Sequence, residues 1–301
     1  MTKKKIFFFG TPKIAIHSLK KISELSDYKI IGVGVFPDSK VGRKQILTPC
    51  AIKIAAQQLG LKVFEIPNKD ELIKLYQTQD FDLGIVIAFG MIFPSEILET
   101  KKFINVHFSL LPAFRGASPV QSAILAGEKT SGITWQIMAS ELDSGDILLQ
   151  KSFNIKGLKT SEIWNNFSEK TAEIFPAFLE KYFSKTLSPT PQKIACATFC
   201  TKFTKTDAEI FPKKDTAQSI YQKFLAFTPW PGIFMQTIKG ALKLTDVSLQ
   251  KEENLFPLPC DNNSILYVRK AQLAGKKELS ISELLKGNPT LFTKGRISKE
   301  I

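Results

Sequence analysis

Asp82-Leu83-Gly84-Ile85-Val86-Ile87-Ala88, running on into Phe89-Gly90-Met91-Ile92, is apolar at odd and even positions alike. As a strand it has no face for water. Strands buried on both sides belong to parallel sheets covered by helices. The chain keeps that rhythm outward from here. Upstream, residues 4–9 predict a short strand, and Gly10-Thr11-Pro12 a turn into a helix with Ile14, Ser18, Leu19 and Ile22 on its inner face. Residues 29–35 predict a second strand, Thr48 the cap of a helix ending at Gly60, residues 62–66 a third strand and residues 69–77 a helix. Downstream, strands are expected over 132–139 and 146–153, and helices over 120–126 and 161–183. The fold class expected is α/β, a parallel sheet with helices on its faces. No GxGxxG follows the first strand, so a dinucleotide fingerprint is absent.

In such sheets ligands bind beyond the carboxyl ends of the strands. Phe89 to Ile92 and Phe108 to Pro112 would both lie there. The second of these follows Phe103-Ile104-Asn105-Val106-His107, a buried strand that breaks into Ser109-Leu110-Leu111-Pro112. Side chains two apart on a strand share a face, so Asn105 and His107 point the same way. An amide beside an imidazole is an oxyanion donor beside a proton-transfer group. Asp143, in Leu142-Asp143-Ser144-Gly145-Asp146, is the candidate carboxylate to orient the imidazole. A strand histidine can equally be a satisfied core residue. The chain has 2 histidines, though, and His17 sits in an ordinary helix interior, Ala15-Ile16-His17-Ser18-Leu19.

A chain of 301 residues can hold two domains, each with its own core. No run approaches a membrane span of ~20 apolar residues. The opening Met1-Thr2-Lys3-Lys4-Lys5 and Ile6-Phe7-Phe8-Phe9 lack the length and cleavage site of a signal peptide, and a cytoplasmic protein is expected. Cys50, Cys196, Cys200 and Cys260 form no CxxC pair and read as reduced thiols rather than metal ligands. The net charge of +13 suits a polyanionic partner, though a lysine-rich proteome would give the same balance.

Texture changes at Ser188-Pro189-Thr190-Pro191, which reads as a linker. Beyond it come one helix, about 215–227, and short strand-like runs over 233–236, 242–244 and 264–268. Short strands with Gly and Pro turns suggest a small β-barrel, and basic small barrels often bind nucleic acid. The domains expected are 1–187, a linker over 188–206, and 207–301.

The set Asn105-x-His107, Ser109-Leu110-Leu111-Pro112, Arg115-Gly116 and Leu142-Asp143-x-Gly145-Asp146 resembles the folate-dependent formyltransferases. Gly10-Thr11-Pro12, Pro37-Asp38 before Gly42-Arg43, Ala226-Phe227-x-Pro229-Trp230-Pro231 and Ala274-Gly275-Lys276-Lys277 are similar to the branch that acts on methionyl initiator tRNA. The likeness runs from about Lys5 to Gly287. It implies a Rossmann-like formyltransferase domain joined to a smaller OB-like β-barrel that binds tRNA. It implies 10-formyltetrahydrofolate as co-substrate, initiator methionyl-tRNA as partner, no metal, no membrane and a monomer.

By the same resemblance Asn105 and His107 would stabilise an oxyanion, with Asp143 paired to His107. Phe89, Gly90, Met91 and Ile92, Ser109, Leu110, Leu111 and Pro112, and Ala139, Ser140, Glu141 and Leu142 would frame the pterin. Arg43, Lys44, Lys202, Lys205, Lys276 and Lys277 would hold the tRNA. Three positions depart from the pattern: Phe108 stands where Gly is usual, Ala113 where Arg is usual, and Lys44 replaces the second Gly of the basic loop. The family also holds enzymes with sugar or purine-precursor acceptors and enzymes that hydrolyse formyltetrahydrofolate. The basic loop and tail motifs favour the tRNA acceptor. A tRNA-binding protein with an inactive α/β domain would not be expected to keep the Asn–His–Asp set.

Overall fold

A computed structural model describes residues 2–42, 44–100 and 102–292. The chain divides into two compact units: residues 1–119, 130–154 and 163–201, and residues 120–129, 155–162 and 202–301.

The first unit is built on a seven-stranded sheet. Its order is Ile147–Asn154, Thr130–Ile137, Phe103–His107, Leu83–Ile87, Lys4–Gly10, Tyr28–Val35, Val63–Glu65. The last five are mutually parallel. Thr130–Ile137 runs antiparallel to both of its neighbours, Phe103–His107 and Ile147–Asn154. The sheet is therefore mixed where a purely parallel one was expected. Phe103–His107 and Thr130–Ile137 pair antiparallel although residues 108–129, with a helix over Pro119–Leu125, join them. From Thr130–Ile137 to Ile147–Asn154 the chain turns back through a short loop, and a return that short can only be antiparallel.

Leu83–Ile87 is buried at every position, as its double-sided apolar pattern requires. Lys4–Gly10 lies beside it, and the chain reverses its direction of growth between these two strands. That reversal opens a crevice at their carboxyl ends, where Gly10-Thr11 and Ala88-Phe89 emerge. Thr11 Oγ1 donates to the Phe89 carbonyl across it, at 3.5 Å.

One face of the sheet carries an aromatic core. Phe7 and Phe9, two apart, have ring centroids 4.8 Å from one another. Phe9 meets Phe89, Phe93 and Phe103 at 5.6, 5.3 and 6.0 Å. Gly84 belongs to this packing, because a Cβ on it would fall inside the Phe103 ring. Trp135 packs against Phe175 and Phe178 of the long helix Thr160–Phe183.

Local side-chain caps set the starts of several helices. Asn68 Oδ1 accepts from the Glu71 amide and caps Lys69–Thr78. Thr48 does not cap the helix that follows it. Its hydroxyl donates to the Ile46 carbonyl within an exposed hairpin, Ser39–Val41 with Ile46–Thr48, and the Cys50 thiol accepts from Lys53 instead.

In the second unit, Phe234–Thr237, Gly240–Ser248, Ile265–Leu273 and Phe256–Pro259 form an antiparallel sheet, with Leu279–Ser280 added beside Ile265–Leu273. Pro257 and Pro259 are tolerated because their strand is an edge. The helix Ala217–Ala226, capped by Thr216, buries Ile220, Phe224 and Leu225. A final helix, Ile281–Lys286, opens on a reciprocal capping box between Ser280 and Glu283. Those Ser280 bonds hold the Glu283 carboxyl below its usual range. No helix among the described residues is long and apolar enough to cross a membrane.

Two outcomes are expected. Gly84→Val, which drives a branched side chain into the Phe103 ring, should cost about 1–3 kcal/mol by overpacking, read as a lowered thermal midpoint. The capping box should contribute to stability above the unfolded carboxyl pKa. It should fade as pH falls through the depressed folded value, so Glu283→Gln should matter at neutral pH and lose its effect in acid.

Candidate active site

The strand Phe103–His107 supplies two side chains to one point. Asn105 Nδ2 donates to Asp143 Oδ1 at 3.2 Å, and His107 Nδ1 lies 3.5 Å from Asp143 Oδ2. The His107 and Asp143 side chains are 7% and 8% exposed, so water does not screen the pair. The other imidazole nitrogen, Nε2, donates to the Phe114 carbonyl at 2.8 Å. A carbonyl only accepts, so this bond places a proton on Nε2 and leaves Nδ1 as the nitrogen facing the carboxylate. Phe114 has a positive φ of 58°.

Asp143 takes two further donors. Gln136 Nε2 reaches Oδ1 at 3.0 Å and the Gly116 amide reaches Oδ2 at 2.9 Å. Gln136 is the register partner of Asn105 on the neighbouring strand, and Thr134 is that of His107. Polar residues two apart thus face polar residues two apart. Gly116, at φ 122°, approaches the Cys200 carbonyl so closely that a side chain there would overlap it. Asp143 itself is left-handed, φ 52°, which costs a non-glycine residue about 1–3 kcal/mol and holds only where the surroundings enforce it. Gln192 Nε2 helps enforce it, donating to the Asp143 and Gly145 carbonyls at 2.8 Å each.

The loop after His107 is folded inward. Ser109 Oγ donates to the Ala113 carbonyl at 2.6 Å, and buried Thr134 donates to the Ser109 carbonyl at 2.7 Å. The Leu111 amide and Gln150 Nε2 both donate to Thr134 Oγ1. Ser109 and Leu111 are buried, with Leu110 and Pro112 partly so. Phe89 is buried and stacked on Phe36 at 4.9 Å, whereas Gly90 and Ile92 are exposed and Met91 is half-buried. Ala139, Ser140, Glu141 and Leu142 are all exposed. Phe108, one of the three departures, is buried and stacks on Phe167 at 6.3 Å, away from solvent.

The structure therefore brings Asn105, His107 and Asp143 together. Lys44 is exposed on the basic hairpin, and Arg43 lies outside the described residues. Lys202, Lys205, Lys276 and Lys277 are exposed in the second unit. Sequence reasoning missed Gln136 and Gln192. Gln136 had a signal, as Thr134 and Gln136 are the polar pair within the strand expected over 132–139. Gln192, behind Pro189 and Pro191, had none.

Chemically, the cluster offers an amide with two Nδ2 hydrogens, of which Asp143 takes one, beside an imidazole-carboxylate couple able to relay a proton. A formyl transferase family model matches residues 4–179, and a formyl transferase C-terminal domain matches residues 202–289. A methionyl-tRNA formyltransferase from Campylobacter jejuni subsp. doylei is 36% identical over 301 residues, covering 94% of this chain and 96% of the relative. Among solved structures, a methionyl-tRNA formyltransferase from Clostridium thermocellum shares the fold with a TM-score of 0.58 at 20% identity, covering 90% and 98% of the two chains. HypX from Aquifex aeolicus, solved with tetrahydrofolic acid, shares it with a TM-score of 0.64 at 16% identity and 94% coverage of this chain. The present chain spans about half of HypX, 47% of its length. By the two domain matches and the 36% identity, this chain belongs to the formyl transferase family and, within it, to the methionyl-tRNA formyltransferases.

Proposed function

We propose that this protein transfers the formyl group of 10-formyltetrahydrofolate to the amino group of methionine on initiator methionyl-tRNA, with Asn105, His107 and Asp143 as its catalytic residues. The observation that carries the reading is the convergence of a strand amide and imidazole on one buried carboxylate. It occurs in a chain that matches methionyl-tRNA formyltransferases over nearly its whole length.

The folate co-substrate supplies a formyl carbon bound to nitrogen. The attacking amine must be neutral. As its lone pair bonds to that carbon, the formyl oxygen gains negative charge. Asn105 Nδ2 would donate its second hydrogen to that oxygen. His107 would join it by exchanging the Phe114 carbonyl for the same oxygen. The amine then carries a surplus proton, which the His107–Asp143 couple would accept. The same couple would return a proton to the folate nitrogen as the carbon–nitrogen bond breaks, so both products leave neutral and the couple is restored. The exposed backbone of 139–142 and exposed Ile92 and Leu142 would receive the pterin. The fit rests on chemistry, since a pterin needs backbone donors and acceptors together with apolar faces. Residues 1–187 would thus carry the chemistry, with 207–301 and Arg43, Lys44, Lys202, Lys205, Lys276 and Lys277 holding phosphates.

The reading is tested with purified protein, 10-formyltetrahydrofolate and a choice of acceptors. Formylation of initiator methionyl-tRNA, and none of free methionine, is expected. Failure to formylate the tRNA by folded protein would overturn it. Asn105→Ala should lower kcat by about 100- to 1000-fold, the usual cost of one oxyanion donor. His107→Ala should abolish transfer while leaving tRNA affinity nearly unchanged, and an equal loss of affinity would show His107 to be structural. Replacing both Lys276 and Lys277 with Ala should raise KM for tRNA and flatten its salt dependence, with kcat little altered.

A further inference from the structure

We propose that Gln192 is a positioning residue for the transfer reaction. In this role it locks Asp143 in register with His107 and sets the direction of the hydrogen bonds reaching the carboxylate. The inference rests on the function proposed above and deepens it.

The argument begins with Arg115, which is buried at 4% exposure. A guanidinium has donors only. Its Nε and Nη2 both donate to Gln192 Oε1, at 3.1 and 2.8 Å. That fixes the Gln192 amide: its oxygen faces the arginine and its nitrogen faces the Asp143 loop. Nε2 meets three acceptors, the Asp143 and Gly145 carbonyls at 2.8 Å each and Gln136 Oε1 at 3.3 Å. Nε2 has two hydrogens, so the longer contact to Gln136 Oε1 shares one of them, and it orients the second amide because a flipped Gln136 would set one NH2 group against another. Gln136 Nε2 must then face outward, and it donates to Asp143 Oδ1 at 3.0 Å. The chain Arg115 to Gln192 to Gln136 to Asp143 has a single polarity, set at one end by a group that cannot accept. Oδ1 consequently accepts from two side chains, Asn105 and Gln136, whereas Oδ2 accepts from the Gly116 amide alone. Proton exchange is directed to Oδ2, the oxygen nearest His107 Nδ1.

Gln192 is held in place by its own segment. The Thr190 amide and carbonyl exchange bonds with Ile147, at 2.9 and 2.8 Å. Farther along, the Thr198 hydroxyl accepts from the Phe114 amide and the Thr198 carbonyl accepts from the Arg115 amide, both at 2.8 Å. Phe199–Cys200 then pairs in parallel with Arg115–Gly116. The segment passing out of the first unit is thus stitched on either side of Gln192 to the loops that hold Asp143 and its donors.

Two substitutions separate positioning from bulk stability. Gln192→Ala removes both ends of the link. Gln192→Glu keeps an acceptor, now charged, for Arg115 and removes the donor to the Asp143 loop. For both, kcat for tRNA formylation should fall about 10- to 100-fold, the scale of a small misplacement of a catalytic group. KM for each substrate should stay within about twofold of the unaltered protein's, on the same argument that positioning leaves binding intact. Gln192→Glu should keep the thermal midpoint. Amide exchange over 138–146 should quicken in both variants, while 103–107 and 130–137 keep their protection.

An unchanged kcat would overturn the positioning role, as would unchanged exchange over 138–146. A fall of kcat and thermal midpoint together with a raised KM in Gln192→Glu would show Gln192 to be structural only. These outcomes compare variant with unaltered protein. Failure of the functional reading shows separately, as inactivity of the unaltered protein.

Discussion

A carboxylate taken out of water has to be solvated by the protein, and at Asp143 the protein supplies Asn105, Gln136 and the Gly116 amide as donors, with His107 alongside. These groups come from three places in the chain that share no local structure. Each is useful only where the others already stand. Removing one partner from such a cluster leaves a buried charge under-satisfied, a cost of several kcal/mol by general experience of buried charge pairs. The site is therefore a constraint on the fold as much as a product of it. It requires the strand Phe103–His107, its antiparallel neighbour and the loop that follows that neighbour to be held in one register.

The sheet meets that demand through its core. Phe7, Phe9, Phe89, Phe93 and Phe103 pack edge to face and tilted beneath the strands. Gly84 removes the one side chain that would keep Phe103 away. Strand order then reverses next to Lys4–Gly10, so the crevice opens at the carboxyl ends of Lys4–Gly10 and Leu83–Ile87, one strand away from Phe103–His107. The antiparallel pairing of Thr130–Ile137 with Ile147–Asn154 keeps the connection between them short. A parallel crossover would have carried the chain across the sheet. The short return keeps Asp143 beside the strand end it serves.

The same logic reaches the Pro-rich segment. Its composition is that of a linker, yet its backbone pairs with Ile147, Pro112, Arg115 and Ala117, and the Thr198 hydroxyl takes the Phe114 amide. Prolines lower the entropy that a segment loses on ordering and remove donors that would otherwise need partners. A Pro-x-Pro stretch is therefore well suited to lie fixed across a surface with few bonds of its own. At Gln192 such a strap meets a buried arginine, and the polarity of the whole network follows.

Much of this was legible in the residues alone. The double-sided apolar run at Asp82–Ala88, set between turn signals, pointed to a central buried strand, and Leu83–Ile87 is buried at all five positions. The spacing of Asn105 and His107 placed them on one face, because strand side chains alternate. The motif set indicated the family, since these residue types at these intervals serve one chemistry. What the sequence could not carry was anything decided by distant contact. The left-handed turn at Asp143, the Thr134–Gln136 pair opposite Phe103–His107 and the antiparallel edge all depend on partners remote in the chain. Gln192 is the extreme case: its neighbours in sequence are those of a linker, and its role exists only because tertiary packing sets a donor-only arginine on one side of it and two carbonyls on the other.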